Sequence, residues 1–185
     1  MKFSAENQET DNMDSYGVGG RILVGARNAF SDETGGSKLF GFAQIDNVEF
    51  AGMGQYGYNS FRDPRSQIVF YKTAGKIGDI VRPVAENSFV QNCAFSYGYG
   101  VAISSYFTDN LVINKNVAYH SIDNGIRVFS SDNNRVTNNF VIMVKQRQVL
   151  MANLGLDLGN SNVDSLEHGA VGIKIEGTGS TGRFS

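Results

Sequence analysis

Short apolar runs alternate with bends rich in Asn and Gly along most of the chain, which predicts many brief strands and few helices. Ile68 and Phe70 alternate with their neighbours, as do Ile126 and Val128 around Arg127, which is the period of a strand with one covered face. Four runs superimpose: Ile45-Asp46-Asn47-Val48-Glu49-Phe50, Val90-Gln91-Asn92-Cys93-Ala94-Phe95, Asn114-Lys115-Asn116-Val117-Ala118-Tyr119 and Thr137-Asn138-Asn139-Phe140-Val141-Ile142. Their shared Asn falls at 47, 92, 116 and 139, at intervals of 45, 24 and 23. These intervals predict two turns of a repeat, then one and one, with the skipped turn at Ser66–Thr73. Gly100-Val101-Ala102-Ile103 returns 25 residues later as Gly125-Ile126-Arg127-Val128, and again within Gly169–Ile175. Asp109-Asn110 returns 23 residues later as Asp132-Asn133.

A period of about 23 residues, with two or three short strands and Asn at the bends, predicts an all-β fold. The specific expectation is a right-handed parallel β-helix of about six or seven turns, stacked about 4.8 Å apart. Phe50, Phe95, Tyr119 and Ile142 would then form one inward ladder. The repeated Asn would tolerate a left-handed bend and bond to the Asn of the next turn. A leucine-rich repeat has a similar period, but its Leu pattern is absent. The expected layout is a polar, flexible segment over 1–15, the β-helix over 16–178 and a tail over 179–185. Insertions are expected near 52–64 and 143–160, the second holding the mixed helical pattern of Lys145–Met151.

Composition narrows the function classes. The 185 residues are 41% hydrophobic, enough for a sizeable core, and carry 22 Gly, 18 Asn and only 2 Pro. Sixteen basic residues against 18 acidic leave a net charge of −2, which argues against nucleic acid as a partner. No apolar run approaches the roughly 18 residues of a membrane span, and Met1–Ser15 lacks the apolar stretch of a signal peptide. Cys93 is the one cysteine, so no internal disulfide or Cys-cluster zinc site forms, and alternation points it into the core with Phe95. Gly17-Val18-Gly19-Gly20 leads into a strand rather than a helix, so it does not predict a phosphate loop.

A series of short motifs, taken in order, carries a resemblance. These are Gly19-Gly20-Arg21-Ile22-Leu23-Val24-Gly25, then Gln44–Phe50 with Gly54-Gln55, then Asp63-Pro64-Arg65. Asn92-Cys93-Ala94-Phe95, Gly100-Val101-Ala102-Ile103 and His120 through Gly125-Ile126-Arg127 follow. Over roughly 17–176 this order resembles the β-helix of the fibrocystin family of very large single-pass receptors. The resemblance implies a β-helix segment of a receptor ectodomain on the extracellular side of the plasma membrane. The chain lacks a signal sequence, an eight-glycine domain, a membrane span, cysteine pairs and any Asn-x-Ser/Thr sequon. It is therefore expected to be a fragment.

Candidate chemistry is sparse. Asp109, Asp123, Arg127 and Asp132 are the candidates for catalysis, since an Arg and carboxylates on one β-helix face resemble the sites of polysaccharide lyases. Asp109 and Asp132 sit at equivalent places of successive turns, where they either cap turn backbone or hold Ca²⁺, the one candidate cofactor. No residue set is assigned to a metal. Tyr56, Tyr58 and Phe61, with Asp63, Arg65 and His120, are the candidate binding residues, because rings beside polar groups stack on sugars. Tyr97, Tyr99, Tyr106 and Phe107 divide between core ladder and surface. The expected function is non-catalytic adhesion or recognition of an extracellular protein or glycan ligand. A hyaluronan or pectin depolymerase is the alternative, and a structural spacer the third. Open ends of a β-helix also lead us to expect self-association.

Overall fold

The structure, a computed structural model, describes residues 2–4, 18–28, 38–55, 64–73, 88–145 and 170–177. Tyr56, Tyr58, Phe61, Asp63, Gln146–Met151 and His168 lie outside the described residues. Among these residues fifteen short strands stack into three ladders that together make a parallel β-helix. Sheet A runs through β1 (Lys2–Ser4), β5 (Glu49–Ala51), β8 (Ala94–Ser96), β11 (Val117–Tyr119) and β14 (Phe140–Ile142). Sheet B holds β4 (Gln44–Asp46), β7 (Phe89–Gln91), β10 (Val112–Asn114) and β13 (Arg135–Thr137). Sheet C holds β2 (Ile22–Asn28), β6 (Ile68–Tyr71), β9 (Ile103–Tyr106), β12 (Asn124–Phe129) and β15 (Val171–Glu176). β3 (Lys38–Phe40) pairs antiparallel on β2, while every other strand pair is parallel. The chain visits B, A and C in turn. No helix among the described residues is long and apolar enough to cross a membrane.

The corners explain why Asn recurs. Between sheets B and A the bend is made by Asn47, Asn92, Lys115 and Asn138, with φ of 56°, 52°, 55° and 56°. Between A and C it is made by Gly52, Tyr97, His120 and Met143, again with φ from 51° to 61°. One left-handed residue turns a short strand sharply into the next, at a conformational cost that Asn and Gly bear best. Inside, Phe50, Ile68, Phe70, Phe95, Ile103, Leu111, Ile113 and Ile126 are fully buried. Each contributes about 1.5–3 kcal/mol of transfer free energy. Phe50 and Phe95 stack face to face, with centroids 4.8 Å apart and planes at 8°.

Three expectations are corrected. First, the interval of 45 is one coil and not two, because Gln44 lies directly opposite Phe89 and Phe50 opposite Phe95. β6 is the third strand of that coil, which is therefore about twice the repeat in length. Stacking constrains the strands and leaves the connections free, so coil length is a poor count of coils. Among the described residues sheet A therefore has five rungs, against the six or seven turns expected.

Second, the register of the repeat is shifted by one residue. Val117 lies opposite Ala94 and Ala118 opposite Phe95, so Lys115, not Asn116, is the counterpart of Asn92. The inward ladder is Phe50, Phe95, Ala118 and Val141, and Tyr119 and Ile142 face outward. Two adjacent positions favour Asn for different reasons. One is the exposed left-handed bend. The other is an inward amide, at Asn116 and Asn139, that bonds along the stack. Asn116 Nδ2 donates to Asn139 Oδ1 at 3.0 Å and to the Val90 carbonyl at 2.9 Å, and its Oδ1 accepts from the Cys93 N–H at 3.0 Å. Likewise Ile103 lies opposite Ile126, and Ile126 opposite Ile173, so Gly100 and Gly125 are not counterparts.

Third, the first rung of sheet A comes from within 1–15. β1 lies in register on β5, with Phe3 opposite Phe50, so this part of the polar segment is a strand. A three-residue rung needs one apolar residue at its centre, too little to raise the hydropathy of a polar stretch.

Candidate functional site

Alternation along sheet C assigns its two faces. Ile68, Ile103 and Ile126 form a ladder into the core, so Val69, Ser104, Arg127 and Lys174 form the next ladder on the opposite face. Arg127 is on the outer face, as its parity predicts, yet it is buried. Its Nε donates to Glu176 Oε2 at 2.9 Å, while Lys174 Nζ meets Glu176 Oε1 at 2.8 Å. The guanidinium also lies 5.8 Å from the Tyr106 ring centre and 5.9 Å from that of Phe129. Burial pushes the Glu176 carboxyl up, but the hydrogen bond from Lys174 and the charge of Arg127 outweigh it and hold the group below the usual carboxylate range. Burial pushes the Tyr106 phenol up, against the charge of Arg127. The Tyr106 hydroxyl is fully buried and has no hydrogen-bond partner among the described residues. A guanidinium held this way is a fixed cation, suited to orienting an anionic group and not to taking a proton.

The sequence expectations did not include Glu176, Lys174 or Tyr106 in a site. The signal was present in Val171-Gly172-Ile173-Lys174-Ile175-Glu176, whose alternation puts Lys174 opposite Arg127 and Glu176 opposite Phe129. The separation of 47 positions between Ile126 and Ile173, about twice the repeat, concealed it.

Among the described residues the other candidates do not converge on Arg127. Asp123 is buried in a left-handed turn with φ 69°, its N–H donating to the Lys145 carbonyl at 3.0 Å and its carbonyl accepting from Val171 at 3.1 Å. Asp109 and Asp132 occupy the corner between sheets C and B on successive rungs, where Asp109 Oδ1 accepts from the Asp132 N–H at 2.7 Å. Asp109 thus caps the backbone of the next coil. Among the described residues, no group of three or more His, Cys, Asp or Glu is placed to hold a metal ion. Arg65 is half-buried, and its carbonyl accepts from the Gln55 N–H at 2.9 Å.

His120 belongs to a separate aromatic cluster on the corner between sheets A and C. Its ring lies 5.2 Å from that of Tyr97 and 6.0 Å from that of Tyr119, and the two Tyr rings meet edge to face at 5.4 Å. Partial burial, and then the charge of Lys145, hold the imidazole below its ordinary pKa, so it is neutral at pH 7. A hydrogen bond with Tyr97 raises the Tyr119 phenol. Of the four rings whose division between core and surface the sequence left open, Tyr97 is exposed and Tyr106 fully buried.

Three stacked parallel sheets with left-handed corners define the class. Residues 33–184 match the family described as "Right handed beta helix region", and the chain belongs to that family of right-handed parallel β-helices. Among curated proteins it is similar to fibrocystin-L of Mus musculus, 37% identical over 131 residues, which is 70% of this chain and 3% of that protein. It is similar also to fibrocystin-L of Homo sapiens, 32% identical over 143 residues, or 77% of this chain and 3% of the relative. The chain is thus a fibrocystin-like β-helix region that spans about 3% of the length of these relatives. No solved structure matches it.

Proposed function

We propose that this chain is a non-catalytic recognition segment of an extracellular receptor ectodomain. Its coils act as a rigid support, and its outward side chains meet an extracellular protein or glycan ligand. The observation that carries the reading is the way the candidate reactive groups are held. Arg127 is clamped by Glu176, Asp109 caps the Asp132 N–H, and Asp123 is buried in its own turn. Groups tied into the scaffold are poorly placed to exchange protons with a substrate. Similarity to fibrocystin-L supports the receptor and extracellular parts of the reading.

Polysaccharide cleavage is the second reading, favoured by the buried Tyr106 hydroxyl beside Arg127. The two readings separate in one experiment. The purified chain is incubated with hyaluronan and with polygalacturonate, with and without Ca²⁺. Polymer length is followed by size-exclusion chromatography, and binding to the same polymers by biolayer interferometry. Recognition predicts unchanged polymer length. Shortening that disappears in Tyr106→Phe and Arg127→Ala would replace it with the enzyme reading.

A further inference from the structure

The inward ladder of sheet A leaves its alternate positions facing out, where an antiparallel or solvated sheet usually carries polar residues. The last three rungs instead present Ala94, Val117 and Phe140 in one row, and Ser96, Tyr119 and Ile142 in the next. Tyr97 and Met143 extend this surface around the corner. Val117 is 42% exposed, Phe140 63%, Ile142 37%, Tyr97 59% and Met143 54%. Because rungs stand about 4.8 Å apart, these side chains are contiguous. Together they leave on the order of 400–500 Å² of apolar surface open to water, the range of the largest patch on a soluble domain, which is often functional.

Charge defines the partner. Residues 92–97, 115–120 and 138–145 contain no Asp or Glu, although the chain as a whole is slightly acidic. Lys115 stands exposed on one corner of the face and Lys145 lies just beyond the other. The lysine pair therefore brackets an apolar, acid-free surface, complementary to apolar groups with carboxylates beside them. Few hydrogen-bonding groups line the face besides the hydroxyls of Tyr97 and Tyr119, whose rings meet edge to face. A glycan would bury more hydroxyls here than the face has partners for, at a cost an apolar peptide side chain does not incur.

We propose that the outer face of the last three rungs of sheet A and their corner with sheet C are the docking surface for a protein partner presenting apolar anchors flanked by Asp or Glu. This rests on the recognition reading and places it on named residues. Tyr97 and Phe140 are the expected anchoring points, as exposed aromatics that a partner can desolvate fully.

A random-peptide phage library panned against the full chain tests this. The expected result is enrichment of peptides that combine aromatic or aliphatic residues with Asp or Glu. A synthetic copy of the most enriched peptide should lose affinity by about tenfold in Phe140→Ser. A similar loss is expected in Lys115→Glu/Lys145→Glu, together with weaker salt dependence. Leu23→Ser, which removes an exposed apolar residue of sheet C, should bind as the wild type does. A circular-dichroism melt confirms that each variant is folded. Peptides that bind Phe140→Ser normally overturn the placement and leave the recognition reading intact. Hyaluronan or heparin oligosaccharides that bind at Tyr97 and Phe140, with no acidic-apolar peptide enriched, overturn the protein partner in favour of a glycan. No enrichment above an uncoated surface, with no glycan bound, overturns the placement and the recognition reading together.

Discussion

Replacing Asn116 with Ala tests whether the inward amide, and not the exposed one, holds successive coils together. Asn116 is 2% exposed and uses both ends of its amide across the stack. Without it the Cys93 N–H loses its acceptor in a site closed to water, a loss of about 1–3 kcal/mol. The Val90 carbonyl and Asn139 Oδ1 each lose a donor, worth roughly 0.5–1.5 kcal/mol apiece. A void of three heavy atoms adds to this, for a total of about 3–5 kcal/mol. At about 2–4 °C per kcal/mol for a chain of this size, Tm should fall by about 10 °C or more. Asn92→Ala provides the comparison. Its amide donates to Asp46 Oδ1 at 2.8 Å on the exposed surface, and its bend has φ 52°. That change should cost only about 1–2 kcal/mol, chiefly for placing Ala in a left-handed conformation. Urea unfolding followed by far-ultraviolet circular dichroism gives both values. Equal losses in the two variants, or a loss below about 1 kcal/mol in Asn116→Ala, would refute the assignment of the two Asn positions.

Gly125→Ala should lower Tm clearly, because an added Cβ would overlap Val141 Cγ1 and lie 2.8 Å from the Gly172 carbonyl oxygen. Gly172→Ala meets nothing nearer than 3.7 Å and should be tolerated, so equal melting of the two variants would count against the packing of β12. Cys93 is buried, and burial raises its thiol pKa, so it should react with a thiol reagent such as DTNB only as the protein unfolds. Rapid labelling of folded chain would contradict its inward placement. Glu176 is held below its unfolded pKa of about 4.3, so its contribution is present above that value and lost as pH falls through the lower folded value. The stability gap between wild type and Glu176→Gln should be widest near neutral pH and shrink below about pH 4. A gap independent of pH would mean that the bonds from Lys174 and Arg127 contribute nothing.

The fold class was legible because a β-helix repeats its constraint at every coil. Inward residues must match those above and below, and the corners need left-handed residues, so Asn, Gly and apolar positions recur together. Coil number was not legible, because the 45 residues from Asn47 to Asn92 contain a strand, β6, that resembles an extra turn. Part of the candidate site was also readable: the parity of Ile126-Arg127-Val128 put Arg127 on the outer face. Its partner was not, since Glu176 is 49 residues away and no local pattern links the two. Asp109 and Asp132 were matched through a clean interval of 23, and that is the spacing at which one caps the other's backbone.

The stacking that makes the scaffold readable also conceals the surface. Positions that face out need only remain soluble, so nothing forces one coil to resemble the next. The row Glu49, Ala94, Val117 and Phe140 passes from an acid to an exposed aromatic across four rungs. No period marks that row; only the register reveals it. In a strand a slip of one residue exchanges the two faces, and the exchange here has a definite source. Aligning Asn116 with Asn92 merged two Asn positions that do different work, and so carried Tyr119 and Ile142 into the core. Restoring Asn116 to its place opposite Cys93 returns both to the outside, beside Tyr97 and Phe140. The assignment of the docking face therefore depends on the same hydrogen bonds that fix the register.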